Sequence, residues 1–145
     1  MSYEAHFIIE NEKSWDEVCN ALCLQYRFGA IILLRGTLGS GKSTFVKAFV
    51  HSLGCDDDVS SPTFAVMHQY KARSCDIFHY DIYNKSYNDF MSMGLMESFD
   101  QEGWHFVEWG SEEFGSLLNL HGFSFVMLDI KILDDHRREV SIVHA

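Results

Sequence analysis

Proline occurs once in the 145 residues, and no Ser- or Gly-rich stretch interrupts the chain. Linkers and low-complexity segments draw on those residues, so neither is expected. No internal repeat is visible, and the length suits one domain over residues 1–145. Basic residues are scarce as well: 11 Lys and Arg stand against 21 Asp and Glu, a formal net charge of −10. A protein that grips a nucleic-acid backbone needs clustered cations to displace counterions, so no direct nucleic-acid contact is expected. Long hydrophobic runs are missing. The longest clean one, Ala30 to Leu34, falls far short of the ~20 residues that span a bilayer. The acidic stretch Met1 to Glu10 has neither the basic start nor the apolar run of a signal peptide. Cys19, Cys23, Cys55 and Cys75 form no CxxC pair, and the eight histidines form no HExxH. Zinc-type spacing is therefore absent, and a cytoplasmic protein without membrane association is expected.

What is present is an ordinary globular composition, 47% hydrophobic and 22% charged. Ala5 to Ile9 reads as a short strand. Ser14-Trp15-Asp16-Glu17 matches a capping box, with Ser14 at the N-cap and Glu17 at N3. Trp15, Val18, Cys19, Leu22 and Tyr26 follow at helical spacing, predicting a helix that ends near Gly29. Cys19 and Cys23, four apart on it, are expected to be buried as small apolar residues. Ala30 to Leu34, too short for a buried helix, predicts a central strand covered on both faces. A glycine-bearing turn and a helix from Lys42 to about Leu53 come next, closed by Gly54. Strands are predicted over Phe64 to Tyr70, Asp76 to Tyr83 and Trp104 to Trp109. A helix is expected within Tyr87 to Phe99, with Met91, Met93 and Met96 as core filling, and a short helix over Ser111 to Asn119. Phe123 to Leu133 and Glu139 to Val143 predict a closing hairpin around Asp134-Asp135. Alternating strands and helices followed by a hairpin give an α/β fold with a mixed parallel and antiparallel sheet.

Gly36-Thr37-Leu38-Gly39-Ser40-Gly41-Lys42-Ser43 fits the P-loop pattern in full, between an apolar strand and a helix. Each residue type has a chemical reason. Glycines let backbone N–H groups approach phosphate oxygens, and the helix start adds its positive end to the same anion. Lys42 reaches the β and γ phosphates, and the Ser43 hydroxyl can ligate Mg²⁺. Nucleotide binding within a P-loop NTPase-like three-layer sandwich is the expectation.

Hydrolysis or transfer further needs a carboxylate at a strand end. Asp81, Glu108 and Asp129 each follow or interrupt an apolar strand. Asp129 leads straight into the hairpin and is read as a solvated surface position, whereas Asp81 and Glu108 are favoured for function. Ser60-Ser61-Pro62-Thr63-Phe64 holds the single proline, which stiffens a hydroxyl-rich segment. From composition alone it reads equally as a simple loop before a strand. A small-molecule kinase would bring several arginines over the phosphates from a late lid, but none lies between Arg73 and Arg137. A GTPase would need Asn-Lys-x-Asp, and Asn84-Lys85-Ser86-Tyr87 lacks the aspartate. A nucleotide-gated binding module with little turnover uses the same loop and stays open as an alternative.

In order, GTLGSGKST, SSPTF, HYDIY and VEWG resemble the TsaE (YjeE) family of small bacterial P-loop ATPases, which support synthesis of threonylcarbamoyladenosine in tRNA. The resemblance runs from about Phe7 to Trp109. It implies that Gly36, Thr37, Leu38, Gly39, Ser40, Gly41, Lys42, Ser43 and Thr44 cradle ATP, with Ser43 a Mg²⁺ ligand. Ser61-Pro62-Thr63 resembles a switch-like segment with Thr63 near the γ phosphate or metal. Asp81 corresponds to the Asp of the family's D-x-Y-R stretch, at the metal and attacking water. Glu108 and Trp109 correspond to its E-W-P motif, Glu108 completing the metal site and Trp109 lining the nucleotide site or a partner surface. Ser14 stands where the family often has a Thr near the adenine. Three departures are visible: Thr37 replaces an acidic or amide residue, Asn84 replaces the arginine, and Gly110 replaces the proline, which implies a looser turn after Trp109. The resemblance also implies action on a complex of TsaD and TsaB, which suits an acidic chain that does not itself hold tRNA.

Overall fold

Short apolar runs separated by amphipathic helices build one seven-stranded sheet in the computed structural model, which describes residues 3–37, 39–59, 62, 66–83 and 85–144. The strands are β1 (Tyr3–Ile9), β2 (Ile31–Arg35), β3 (Met67–Lys71), β4 (Asp76–Asp81), β5 (Trp104–Glu108), β6 (Val126–Ile132) and β7 (Arg138–His144). The helices are α1 (Trp15–Gln25), α2 (Lys42–Ser52), α3 (Tyr87–Ser92) and α4 (Glu112–Leu120). Spatial order is β1-β7-β6-β2-β5-β4-β3. The central strands β6, β2, β5 and β4 run parallel, while β1, β7 and β3 pair antiparallel at the margins. This is the mixed α/β sheet expected from the sequence.

Residues alternate across a strand, and β2 shows why its run is continuously apolar. Ile32 and Leu34 enter the core beneath α1 and α2, with Phe45, Phe49 and Phe106. Ile31 and Leu33 enter the opposite core with Phe90 of α3 and Phe114 and Leu118 of α4. Two cores on one sheet make a three-layer sandwich. The α2 side is knitted by aromatic edges: Phe49 lies 4.7 Å from Trp104 and 4.8 Å from Phe106, centroid to centroid. Among the described residues no helix is long and apolar enough to cross a membrane.

Several local expectations are corrected. Ser14 does not cap α1 through a box with Glu17: it is already helical (φ −62°, ψ −26°) and makes no side-chain cap bond. The box sits one turn back, where Asn11 is extended (φ −156°) and its side chain accepts from the Ser14 N–H. The Ser14 Oγ accepts in return from the N–H groups of Glu10 and Asn11. A 3-10 turn over residues 12–14 thus leads into α1. Helix α1 stops at Gln25, short of Gly29. β3 starts at Met67 because Val66 takes a left-handed φ of 68°, which a ladder cannot hold; Phe64 and Ala65 lie outside the described residues. Cys19 and Met96 are buried, but Met93 is 46% exposed and fills no core.

Candidate nucleotide site

Parallel pairing brings three strand ends together. Leu34 of β2 is in register with Glu108 of β5, and Glu108 with Asp81 of β4. The loop from Gly36 to Gly41 leaves β2 at this edge and turns into α2. Its turn closes with Ser40 N–H on the Thr37 carbonyl at 3.0 Å, and α2 opens with Phe45 N–H on Gly41 at 2.8 Å. Gly39 (φ 79°) and Gly41 (φ 118°) hold backbone shapes that side-chain-bearing residues rarely adopt. At Gly36 space decides instead: a Cβ would lie 2.4 Å from Ser40 Oγ and 2.9 Å from the Ile130 carbonyl.

Register also sets which side chains meet. His79, Asp81 and Glu108 share the face of β4 and β5 that carries Phe106, the face covered by α2. The Ser43 hydroxyl, at the start of α2, donates to Glu108 Oε2 at 2.9 Å. His79 Nε2 hydrogen-bonds the same Oε2. Asp81, also buried, accepts from the Tyr83 N–H at 2.9 Å through Oδ1. Lys42 is only 5% exposed. Its ammonium donates to the carbonyls of Gly36 at 2.7 Å and Thr37 at 3.1 Å, and lies 3.9 Å from the Trp109 ring centroid. Burial lowers its pKa from the ordinary lysine value, with Glu108 and Asp81 pulling the other way.

Trp109 follows Glu108 directly and takes a left-handed φ of 65°. Its N–H is held by Leu34 at 3.1 Å and its ring lies 4.8 Å from that of Tyr83. A bulky residue in that region is strained, and such strain concentrates at functional sites. Gly110, expected to loosen the turn after Trp109, instead packs tightly: it is buried, and a Cβ there would stand 2.8 Å from Leu33 Cβ.

Beside the loop lies a cavity of about 240 Å³ lined by Gly39, Ser40, Gly41 and Thr44 and also by Asn11, Trp15, His136 and Arg138. Arg138 reaches across from β7 to donate to the Ser40 carbonyl at 3.0 Å. Ser14 does not line this cavity; its hydroxyl is committed to the backbone at Glu10 and Asn11, and the neighbouring Trp15 lines it instead.

The structure therefore gathers Gly36, Gly39, Ser40, Gly41, Lys42, Ser43, Asp81, Glu108 and Trp109 at one edge, with Thr37 and Thr44 exposed beside them. Thr63, Leu38 and Asn84 lie outside the described residues. Asp129 is not simply solvated. It takes a two-pronged ion pair from Arg35, 2.5 and 2.9 Å, and Arg35 also lies 3.6 Å from Glu112 of α4. Three residues escaped the sequence reading: His79, Trp15 and Arg138. His79 carried a signal, since two residues before Asp81 in a strand means the same face.

Ser40 Oγ is buried and finds no hydrogen-bond partner among the described residues, an orphaned polar atom inside the loop. With a cradle that admits only glycine at Gly36 and hard oxygen donors on Ser43, Glu108 and Asp81, the residues suit a phosphate ester and Mg²⁺.

Known proteins resemble this chain over most of its length. The family model described as Threonylcarbamoyl adenosine biosynthesis protein TsaE matches residues 9–140. The chain is 31% identical over 140 residues to the tRNA threonylcarbamoyladenosine biosynthesis protein TsaE of Aquifex aeolicus (strain VF5), covering 93% of this chain and 92% of that one. It is 30% identical over 115 residues to the protein of the same description from Treponema pallidum (strain Nichols), covering 79% and 82%. Its fold resembles the crystal structure of YdiB from Bacillus subtilis, with a TM-score of 0.74 at 24% identity over 99% of this chain and 87% of that one.

Proposed function

This chain belongs to the TsaE family of tRNA threonylcarbamoyladenosine biosynthesis proteins, and from that membership we propose that it is an ATPase acting on a TsaD–TsaB complex in the cytoplasm. The observation that carries the reading is the 2.9 Å hydrogen bond from Ser43 to Glu108, with the Lys42 ammonium and Asp81 beside it. In a P-loop enzyme the hydroxyl of the helix-opening Ser and a strand-end carboxylate act together at the metal, and here the two are already joined.

The backbone N–H groups of the loop and the start of α2 bind the triphosphate, and Lys42 sets its charge against the β and γ oxygens. Ser43, Glu108 and Asp81 would hold Mg²⁺, which when bound neutralises charge on the phosphates. Glu108 and Asp81, buried side by side on paired strands, can orient water and accept its proton. Trp109 stacks on the lysine and covers the site from one side. Thr63, which the family resemblance puts near the γ phosphate or metal, belongs to this reading.

Family membership and charge support this choice of partner. A chain of net charge −10 leaves tRNA to the complex that modifies it. Hydrolysis resets that complex if the ATP-bound and ADP-bound chains differ in affinity for it, because only differential binding shifts an equilibrium.

The test is tRNA modification reconstituted with TsaD, TsaB and the carbamoyl-adenylate-forming enzyme, with and without this chain, while ATP consumption is followed in parallel. Repeated turnover that requires wild-type chain and is lost with Lys42→Ala supports the proposal. Modification that proceeds equally without the chain refutes the coupling.

A further inference from the structure

We infer that His79 is a positioning residue for the nucleotide site: its Nε2–H anchors Glu108 so that one carboxylate oxygen is fixed and the other is left for the bound nucleotide and its metal or water. The inference rests on the ATPase reading for its functional consequence, but its geometry stands apart from it.

His79 is 0% exposed, in the middle of β4, on a face whose neighbours Ile77 and Phe106 are apolar. Packing alone would favour another hydrocarbon there. Burying an imidazole is costly unless its polar atoms find partners. Nε2 bonds Glu108 Oε2, while Nδ1 has no partner among the described residues. Glu108 is thus the one polar contact this ring makes among the described residues, and it carries the reason for a histidine at this position. Since a carboxylate accepts, Nε2 carries the hydrogen.

The Ser43 hydroxyl donates to that same Oε2. Two donors, one from β4 and one from α2, therefore converge on a single oxygen, and no described residue hydrogen-bonds Oε1. A carboxylate pinned through one oxygen keeps its rotamer when the Ser43 hydroxyl turns toward a ligand. His79 supplies the pin that does not move, because it is built into the sheet. Residues that orient a ligating or catalytic side chain in this way typically cost roughly 10–100-fold in affinity or activity when removed.

Three proteins test this: wild type, His79→Leu and His79→Gln, in which the amide N–H of Gln can take the place of Nε2–H. Partner-stimulated ATP hydrolysis is expected to lose roughly 10–100-fold in kcat in His79→Leu, with KM changed by no more than about twofold, and to recover at least about tenfold in His79→Gln. The Mg²⁺ concentration needed for half-maximal ATP binding, read by calorimetry, should rise about tenfold in His79→Leu and return toward wild type in His79→Gln. A His79→Leu protein with wild-type kcat and wild-type Mg²⁺ dependence overturns the inference, as does equal loss in both variants when both remain folded by thermal melt. If neither variant folds, nitrogen NMR of wild-type chain decides: a protonated Nε2 on His79 supports the anchor, and an unprotonated one removes it. A wild-type chain that binds Mg²⁺ and ATP but never hydrolyses ATP with its partners overturns the ATPase reading alone, and the Mg²⁺ dependence still judges His79.

Discussion

Lys42 is expected to matter more than any other single residue of the loop. It is buried, held between the carbonyls of Gly36 and Thr37 and the face of Trp109, so in the proposed ATPase its charge would stand preorganised toward the phosphates. Removing one such preorganised electrostatic contact costs roughly 10²–10³ in rate. Lys42→Ala should lower ATP hydrolysis by about that factor, measured as phosphate release with the partner complex present, while its unfolding midpoint in urea stays near wild type or rises. Ser43→Ala should act differently, because it removes the hydroxyl shared with Glu108: its defect should be relieved in part by raising Mg²⁺, a dependence that Lys42→Ala lacks. That Lys42, Ser43 and the glycines share one turn was legible because they are contiguous between an apolar strand and a helix. That Asp81 and Glu108 stand beside them was legible because each closes an apolar strand, and parallel pairing brings the two strand ends into register. His79 was legible only as sharing a strand face with Asp81; its bond to Glu108, and that of Arg138 to Ser40, were not, since those partners are remote in sequence and meet them only through strand register and the β6–β7 hairpin.

At the scale of elements, the opposite edge of the sheet is tied by two glycines. A Cβ on Gly29 would lie 2.1 Å from the Gly103 carbonyl oxygen, and one on Gly103 (φ +136°) would lie 2.3 Å from the Asp76 carbonyl oxygen. The backbones entering β2, β5 and β4 thus approach more closely than any side chain permits. Gly103→Ala should destabilise by roughly 1–3 kcal/mol or more, from backbone strain and overpacking together. The check is a urea midpoint that falls without a change in slope; an unchanged midpoint would mean the three strands can separate freely at this edge. Element types were largely legible, because continuous apolar runs and helical spacing say which residues must be buried. Boundaries were less so, for stated physical reasons: Asn11 outcompetes Ser14 for the helix cap, and Val66 turns left-handed before β3. The pairing of β1 with β7, joining residues from the two ends of the chain, leaves no local trace in either segment.

For the whole molecule, acidity and burial make separate predictions. With a net charge of −10, the chain alone should leave tRNA unshifted in a native gel at physiological salt, since it has few cations to exchange for counterions. His105 makes one contribution to stability toward acid. It is 2% exposed, stacked on Phe78 at 4.5 Å, with Nε2 on the Gln101 carbonyl and Nδ1 on the Tyr80 hydroxyl, both at 2.8 Å. Burial lowers its pKa from the ordinary histidine value of 6.5, and the hydrogen bond to Gln101 opposes that only in part. The folded chain therefore keeps this ring neutral where the unfolded chain takes up a proton. Stability from this source is intact above 6.5 and declines as pH falls below it, by at most about 1.4 kcal/mol per pH unit until the folded chain also protonates. Asp89 and Asp134 have pKa values lowered from 3.8 by hydrogen bonds from Ser86 and His136 respectively, so what they contribute is lost only at lower pH. The two windows are distinct. Urea unfolding at about pH 7.5 and about pH 5.5 should show a drop for wild type and a smaller one for His105→Gln, which keeps an N–H donor but cannot titrate. Equal drops in both proteins would place the acid sensitivity elsewhere, and the Tyr80–His105 pair would then be a packing feature without a part in how the chain responds to pH.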